Sequence, residues 1–207
     1  MSAASLWRRS EPLILASGST TRRAMLLAAG IPVDIVKPEV DERGIEAGLA
    51  GQGASAREVA QALAVAKAQA VAQERPGRLV LAADQTLACD GANFHKPADS
   101  AAAAAQLASL GGRTHHLHSA FALARDGEVV DDGVASASLV MRALSPDFIA
   151  AYCAAAGPAI LQSVGAYQIE GLGAQLFESI EGDHFTILGL PLLPVLAALR
   201  RQGCLVS

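Results

Sequence analysis

Short apolar runs alternating with capped helical stretches are what most constrain this chain. Residues 13–16 and 79–83 are unbroken apolar runs, too short for helices, as expected of strands buried on both faces of a sheet. Residues 33–36 read as a further strand. Thr20 or Thr21 can cap a helix that carries Met25, Leu26 and Leu27 and stops at Gly30. Ser55 and Glu58 form a capping box that opens a long helix to about Gln73. Asp90-Gly91 is a hairpin signal, and Asp99 or Ser100 starts an alanine-rich helix ending at Gly111-Gly112. Asp126-Gly127 joins two long extended stretches, residues 115–124 and 128–143, into an antiparallel hairpin. Ser145-Pro146 opens a helix to about Ala156, residues 165–180 read as glycine-punctuated extended chain, and residues 191–201 form a last helix. Helices alternating with strands early and a hairpin late imply an α/β class with a mixed sheet.

No repeat or long linker divides the 207 residues, so one continuous domain is expected over residues 1–207, with residues 1–11 flexible. Apolar side chains make up 52% and charged ones 17%, which excludes intrinsic disorder. The net charge of −4 argues against a dedicated binder of nucleic acid polymers, which needs a basic excess to neutralise phosphates. No run approaches the roughly 20 apolar residues that cross a bilayer, and the apolar run near the start is too short for a signal peptide. Three scattered cysteines without CxxC spacing fit a reducing compartment, so a cytoplasmic address and no membrane partner are expected.

Several places could carry chemistry. The loop Ser17-Gly18-Ser19-Thr20-Thr21-Arg22-Arg23 puts small residues at a helix N-terminus, where free N–H groups, hydroxyls and two arginines can seat a phosphate. It can equally be a plain capped turn, and it lacks the P-loop pattern. Val59, Leu63, Lys67 and Val71 recur every four residues, so Lys67 lies on an apolar stripe. It either snorkels to an edge or points into an anion site. Asp84 ends an apolar strand, where ligands of open α/β sheets bind, so it suits a metal or base role as well as a turn. Lys96 is fixed by Pro97, and Glu39, Asp41 and Glu42 could hold a hard cation such as Mg²⁺ or form a solvated turn. His115, His116 and His118 lack zinc spacing, and Gly171-Leu172-Gly173 lacks the setting of a dinucleotide fingerprint.

Taken together, the ordered segments LILASGSTTRR, PEVDE, LAVAKAQAVA, LAADQTL followed by HKP, LGGRTHHLHSAFAL and GAYQIEGLGAQLFESIEGDHFTILGLPL resemble the Maf family of nucleoside triphosphate pyrophosphatases. The resemblance covers residues 12–200 and implies an elongated mixed sheet flanked by helices, with a deep cleft between two lobes, as in inosine triphosphate pyrophosphatases. It implies that Ser17, Ser19, Arg22, Lys67 and Lys96 bind phosphates, and that Asp84 is the catalytic proton acceptor. Glu42 and Asp84 would ligate a divalent cation, Mg²⁺ or Mn²⁺, and the substrate would be a nucleoside triphosphate. A homodimer is a further expectation, since family members often dimerise.

The family divides by substrate at the positions of Thr21, Gln85 and Glu170. Members acting on dTTP and UTP typically carry arginine, threonine and glutamine there; members acting on 7-methyl-GTP carry an aromatic residue, glutamine and glutamate. Gln85 and Glu170 match the second set, and Thr21 matches neither. The resemblance therefore implies hydrolysis of 7-methyl-GTP or another modified nucleotide. The alternatives are a dTTP/UTP pyrophosphatase of the same fold and a nucleotide-binding regulator of septum formation without turnover.

Overall fold

The computed structural model describes residues 6–206. In chain order it contains β1 (Leu13–Ala16), α1 (Thr20–Ala28), β2 (Val33–Ile35), α2 (Glu42–Ala50), α3 (Ala56–Glu74), β3 (Val80–Cys89), β4 (Ala92–Phe94), α4 (Ser100–Leu110), β5 (Thr114–Arg125), β6 (Glu128–Met141), α5 (Pro146–Ala156), β7 (Phe177–Glu181), α6 (His184–Ile187) and α7 (Leu192–Arg201). The sheet has seven strands in the order β2-β1-β3-β5-β6-β7, with β4 paired to β3. β1 is parallel to both β2 and β3, whereas β3–β4 and β6–β7 are antiparallel. The mixed α/β class is thus as the alternation of elements implies. Both expected hairpin turns adopt left-handed backbone at both residues, with φ of 49° and 79° at Asp90 and Gly91 and of 53° and 83° at Asp126 and Gly127, the geometry that matches strand twist.

The structure departs from the sequence expectations at three places. Residues 165–180 are not one extended stretch: 3-10 turns at Val164–Ala166 and Leu172–Leu176 precede β7. A nine-residue helix, α2, was not foreseen, because Gly44 and Gly48 depress its helix propensity; Asp41 caps it by accepting from the Gly44 N–H at 3.0 Å. The cap of α1 is Ser19 rather than Thr20 or Thr21. The capping box at Ser55 and Glu58 is present with both bonds made. Residues 1–5 of the segment expected to be flexible lie outside the described residues; within the remainder, Trp7 bridges to Leu205 and its indole donates to the Glu11 carbonyl at 3.0 Å. Among the described residues, no helix is long and apolar enough to cross a membrane.

The described residues form two compact units, the first running to Gln85 with Ser119–Ala135 and the segment from His184 onward. In it, strand alternation sends Leu13, Leu15, Leu81, Ala83, Phe121 and Leu123 to one side, against Met25 and Leu26 of α1 and Val195, Ala198 and Leu199 of α7. Ile14, Ala16, Val80, Ala82, Ala120 and Ala122 face the other side, against Ala60, Ala64, Ala68 and Val71 of α3. Alanine dominates that second layer on both helix and strands, which lets α3 lie close against the sheet. The polar residues that extend these two rows, Asp84 beyond Ala82 and Gln85 beyond Ala83, therefore leave the same strand on opposite faces.

The second unit comprises Thr86–His118 and Ser136–Asp183. Its core holds a ring cluster in which His115, fully buried, lies with Tyr167 and Phe177. The His115 Nε2 and the Tyr167 hydroxyl share a 2.8 Å hydrogen bond, while Nδ1 is buried without a partner among the described residues. A Cβ at Gly165 (φ +79°) would stand 2.7 Å from both Leu87 and Tyr167, so glycine is required beneath this cluster.

Burial, assisted by repulsion from His116, lowers the His115 pKa from 6.5 to about 4. The unfolded chain therefore takes up a proton here that the folded chain resists, and stability is lost as pH falls from about 6.5 towards 4. The bound on this loss is about 3 kcal/mol. Thermal melts between pH 7.5 and 5 should show a steeper fall for the wild type than for His115→Gln, whose amide does not titrate. Parallel curves would assign the acid sensitivity elsewhere.

Candidate active site

The site lies at the carboxyl end of β1, the end at which open α/β sheets bind ligands. β3 runs on to Cys89, so Asp84, expected to end its strand, instead stands mid-strand just past the point where the pairing with β1 stops. Ser17 follows β1 directly, and Asp84 sits in β3 just past the registered pair Ala16 and Ala82. α1 and α3, on opposite faces of the sheet, each bring one cation to this edge. α3 carries Lys67 inward on the Val59-Leu63-Lys67-Val71 stripe, all four residues of which are buried. Its Nζ donates to Asp84 Oδ1 at 2.6 Å and lies 2.9 Å from Glu42 Oε2. The Lys67 and Asp84 side chains keep 9% and 13% of their exposure, against 50% for Glu42, so the first pair is desolvated and the second reaches water. Lys67 thus neither snorkels nor stands alone: a buried ammonium is retained because two carboxylates meet it.

Arg22, in the first turn of α1, is held mainly by backbone carbonyls. Nη1 donates to the Ala83 carbonyl at 2.7 Å and to Ser17 Oγ at 3.3 Å, and Nε donates to the Gly189 carbonyl at 2.8 Å. Burial lowers its pKa, opposed by the charges of Asp84 and Glu42; a guanidinium so placed stays charged. Ser17 Oγ accepts from the Ser19 N–H at 3.2 Å, and Ser19 Oγ accepts from the Arg22 N–H at 3.3 Å. Both hydroxyls thus use their oxygens to shape the loop, and their protons remain donors for an oxyanion.

Ser17, Gly18, Arg22, Lys37, Glu42, Lys67 and Ala83 line a concave site of about 120 Å³. Of the residues singled out from sequence, the structure brings Ser17, Arg22, Glu42, Lys67 and Asp84 together, with Ser19 as the cap beside them. Thr21 precedes Arg22 on α1 and is half-buried. Gln85 leaves the opposite face of β3 from Asp84, and its amide donates to Ser119 Oγ and the Thr186 and Ile187 carbonyls. Lys96 and Glu170 belong to the second unit and are exposed, Lys96 between β4 and α4 and Glu170 beside the 3-10 turn at Leu172–Leu176. Lys37 was not foreseen, yet it carries the same signal as Lys96, a lysine immediately before a proline.

Among the described residues, no group of three or more His, Cys, Asp or Glu side chains converges on a metal position. His115 is buried in its ring cluster, and His116 and His118 bond to Ser138 and Ser136. Glu42 and Asp84 do turn one oxygen each onto a single cationic centre, the Lys67 ammonium. One or two carboxylates completed by substrate phosphate and water is how Mg²⁺ is ordinarily bound, so this donor set fits a hard divalent cation shared with a ligand.

Arg22, Lys37 and Lys67 outnumber the two carboxylates, and hydroxyl and backbone N–H donors sit at the start of α1: fold and site together define an α/β protein equipped to hold a phosphorylated ligand. The model of the Maf-like protein family matches residues 12–202, and the chain belongs to the Maf family. It is 54% identical over 195 residues to the 7-methyl-GTP pyrophosphatase of Mesorhizobium japonicum, covering 94% of this chain and 98% of that one. It is 52% identical over 202 residues to the nucleoside triphosphate pyrophosphatase of Nitrobacter winogradskyi, covering 97% and 98%. Among solved structures, a HAM1 protein from Coxiella burnetii is similar with a TM-score of 0.44 and 18% identity, over 63% of this chain and 72% of that one.

Proposed function

We propose that this protein is a nucleoside triphosphate pyrophosphatase, hydrolysing the α–β phosphoanhydride to nucleoside monophosphate and pyrophosphate. The observation that carries the reading is the Asp84–Lys67 pair at 2.6 Å, beside the carboxyl end of β1 and the anchored Arg22. A triphosphate tail brings several negative charges, and more charge gathers on the leaving pyrophosphate, so catalysis rests on positioned cations. Arg22, Lys67 and Lys96 bind the phosphate oxygens, with Ser17 and Ser19 as hydroxyl donors. Asp84 orients the attacking water and takes its proton as the water oxygen bonds to phosphorus and the bond to pyrophosphate breaks. Lys67 holds one Asp84 oxygen and leaves the other for that water. Glu42 and Asp84 would hold Mg²⁺ or Mn²⁺, which when bound neutralises phosphate charge and acidifies a bound water.

The substrate we propose is 7-methyl-GTP or a similarly modified nucleotide, in a cytoplasmic house-cleaning role. Two relatives that carry that name, from Mesorhizobium japonicum and Brucella abortus, are 54% and 50% identical to this chain. Gln85 and Glu170 match the resemblance to the same subgroup, and a carboxylate at 170 can accept from the N1–H and amine of guanine, which thymine and uracil lack. A pyrophosphate-release screen over canonical and modified triphosphates, with Mg²⁺ and with chelator, tests the reading. Equimolar monophosphate and pyrophosphate are expected, fastest from 7-methyl-GTP and abolished by chelation. Release of orthophosphate instead would overturn the bond assignment, and a preference for dTTP or UTP would overturn the substrate.

A further inference from the structure

We propose that Lys37 is a further phosphate-binding residue, whose ammonium gives the site its excess of positive charge and holds an oxygen of the phosphate tail in the ground state. The inference rests on the pyrophosphatase reading for its kinetic consequences and on charge and backbone geometry for its existence.

Arg22, Lys67, Asp84 and Glu42 answer one another. Lys67 Nζ meets Asp84 at 2.6 Å and Glu42 at 2.9 Å. Arg22 gives Nε to the Gly189 carbonyl and Nη1 to the Ala83 carbonyl and Ser17 Oγ, and the same two carboxylates act on its charge. Two cations against two anions leave no net charge among these four, and a polyanion gains little from approaching a neutral cluster. Lys37 changes that balance. It lines the same concave site, is exposed, and among the described residues has no hydrogen-bond or ion-pair partner. Its three N–H donors are uncommitted, and its charge leaves the site with one positive charge in excess.

The sheet fixes where this lysine starts. Leu15 of β1 pairs with Ile35 of β2, and the Leu15 carbonyl also accepts from the Val36 N–H at 3.1 Å. Ser17 and Lys37 each follow that registered pair by two residues, so the lysine leaves the chain beside the loop that seats phosphate. Pro38, which lines the site too, biases Lys37 toward extended backbone. From this anchored start a flexible four-carbon stem lets the ammonium follow a ligand, whereas the Arg22 guanidinium is held in place. Water and salt screen an exposed charge, so Lys37 contributes to capture of the tail rather than to the fixed geometry at the reacting phosphorus. Such a contact is made equally with substrate and transition state, and its loss raises KM while kcat holds.

The probe is inorganic tripolyphosphate, which has the tail and no base. It is titrated calorimetrically, without divalent cation and at low and high salt, into the wild type, Lys37→Gln, Lys37→Arg and Arg200→Gln, with KM and kcat for 7-methyl-GTP measured in parallel. Arg200 is an exposed residue of α7 outside the lining residues, so its variant loses the same unit of charge elsewhere. Lys37→Gln should weaken tripolyphosphate binding about fivefold at low salt and raise KM by a similar factor, with the deficit shrinking as salt rises. Its kcat and melting temperature should match the wild type, since an exposed side chain without a partner holds nothing in place. Lys37→Arg should keep most of the affinity, and Arg200→Gln should bind as the wild type does. Full affinity in Lys37→Gln at low salt would overturn the proposal, and so would equal weakening in Arg200→Gln, which would reduce Lys37 to a share of the overall charge. A lower kcat with KM unchanged would overturn it as well, because the lysine would then act in the transition state alone. A wild type that binds tripolyphosphate through Lys37 but releases no pyrophosphate from any nucleotide would defeat the functional reading alone, because the binding comparison needs no turnover.

Discussion

Asp84→Asn is expected to reduce turnover about a thousandfold while the fold and nucleotide affinity stay close to wild type. The substitution keeps the shape of the side chain and keeps an oxygen that can accept from Lys67 Nζ, now 2.6 Å from Oδ1. What it removes is the negative charge and the basic lone pair that receive a proton from water. Lys67 remains beside Glu42 at 2.9 Å, so its ammonium is not left without a counter-charge. Nucleotide affinity, measured by calorimetry in the absence of divalent cation, should hold or rise slightly, since one negative charge facing the phosphates has gone. Turnover within a few-fold of wild type would remove Asp84 as the proton acceptor, and the neighbouring Glu42 would be the next carboxylate to substitute.

How much of this site was legible in the sequence differs by the kind of bond involved. The stripe of Val59, Leu63, Lys67 and Val71 showed that the lysine lies on the core face of α3, because helical period assigns faces. It could not show the partner, because Asp84 arrives from β3 by tertiary packing, and spacing along one helix carries no information about what lies across from it. The end of the apolar run marked Asp84 as well sited, although β3 itself continues to Cys89, and alternation along β3 then dictates that Gln85 faces the other way. The anchoring of Arg22 was not legible at all. Two of its three acceptors are the carbonyls of Ala83 and Gly189, and a carbonyl is present at every residue whatever the side chain. The same limit hid α2, whose two glycines argue against a helix while its Asp41 cap argues for one, and the 3-10 turns after residue 164, where glycines permit either turn or extended backbone. Side-chain pattern reported faces, caps and charged candidates; the backbone bonds that fix their angles came with the fold.

Lys67→Met should both abolish activity and destabilise the protein by about 3 kcal/mol, and the two effects should separate on a second substitution. The Asp84 carboxylate is mostly buried, and without the ammonium it would be an uncompensated charge at the strand edge. Glu42 is half-exposed and can rehydrate, so its share of the loss is small. Replacing Asp84 as well, in Lys67→Met/Asp84→Leu, leaves an apolar pair against Ala82 and Ala68 and should restore most of the lost stability, with activity still absent. Adding Glu42→Gln to Lys67→Met should restore little. Urea denaturation with the slope checked for constancy measures all three changes on one scale. A Lys67→Met protein as stable as wild type would mean that Asp84 is relieved by some other group or by water, and the pair would then owe nothing to burial. Recovery of stability without recovery of turnover would mean instead that the fold tolerates the loss of this ion pair and that its retention is explained by chemistry at the phosphate.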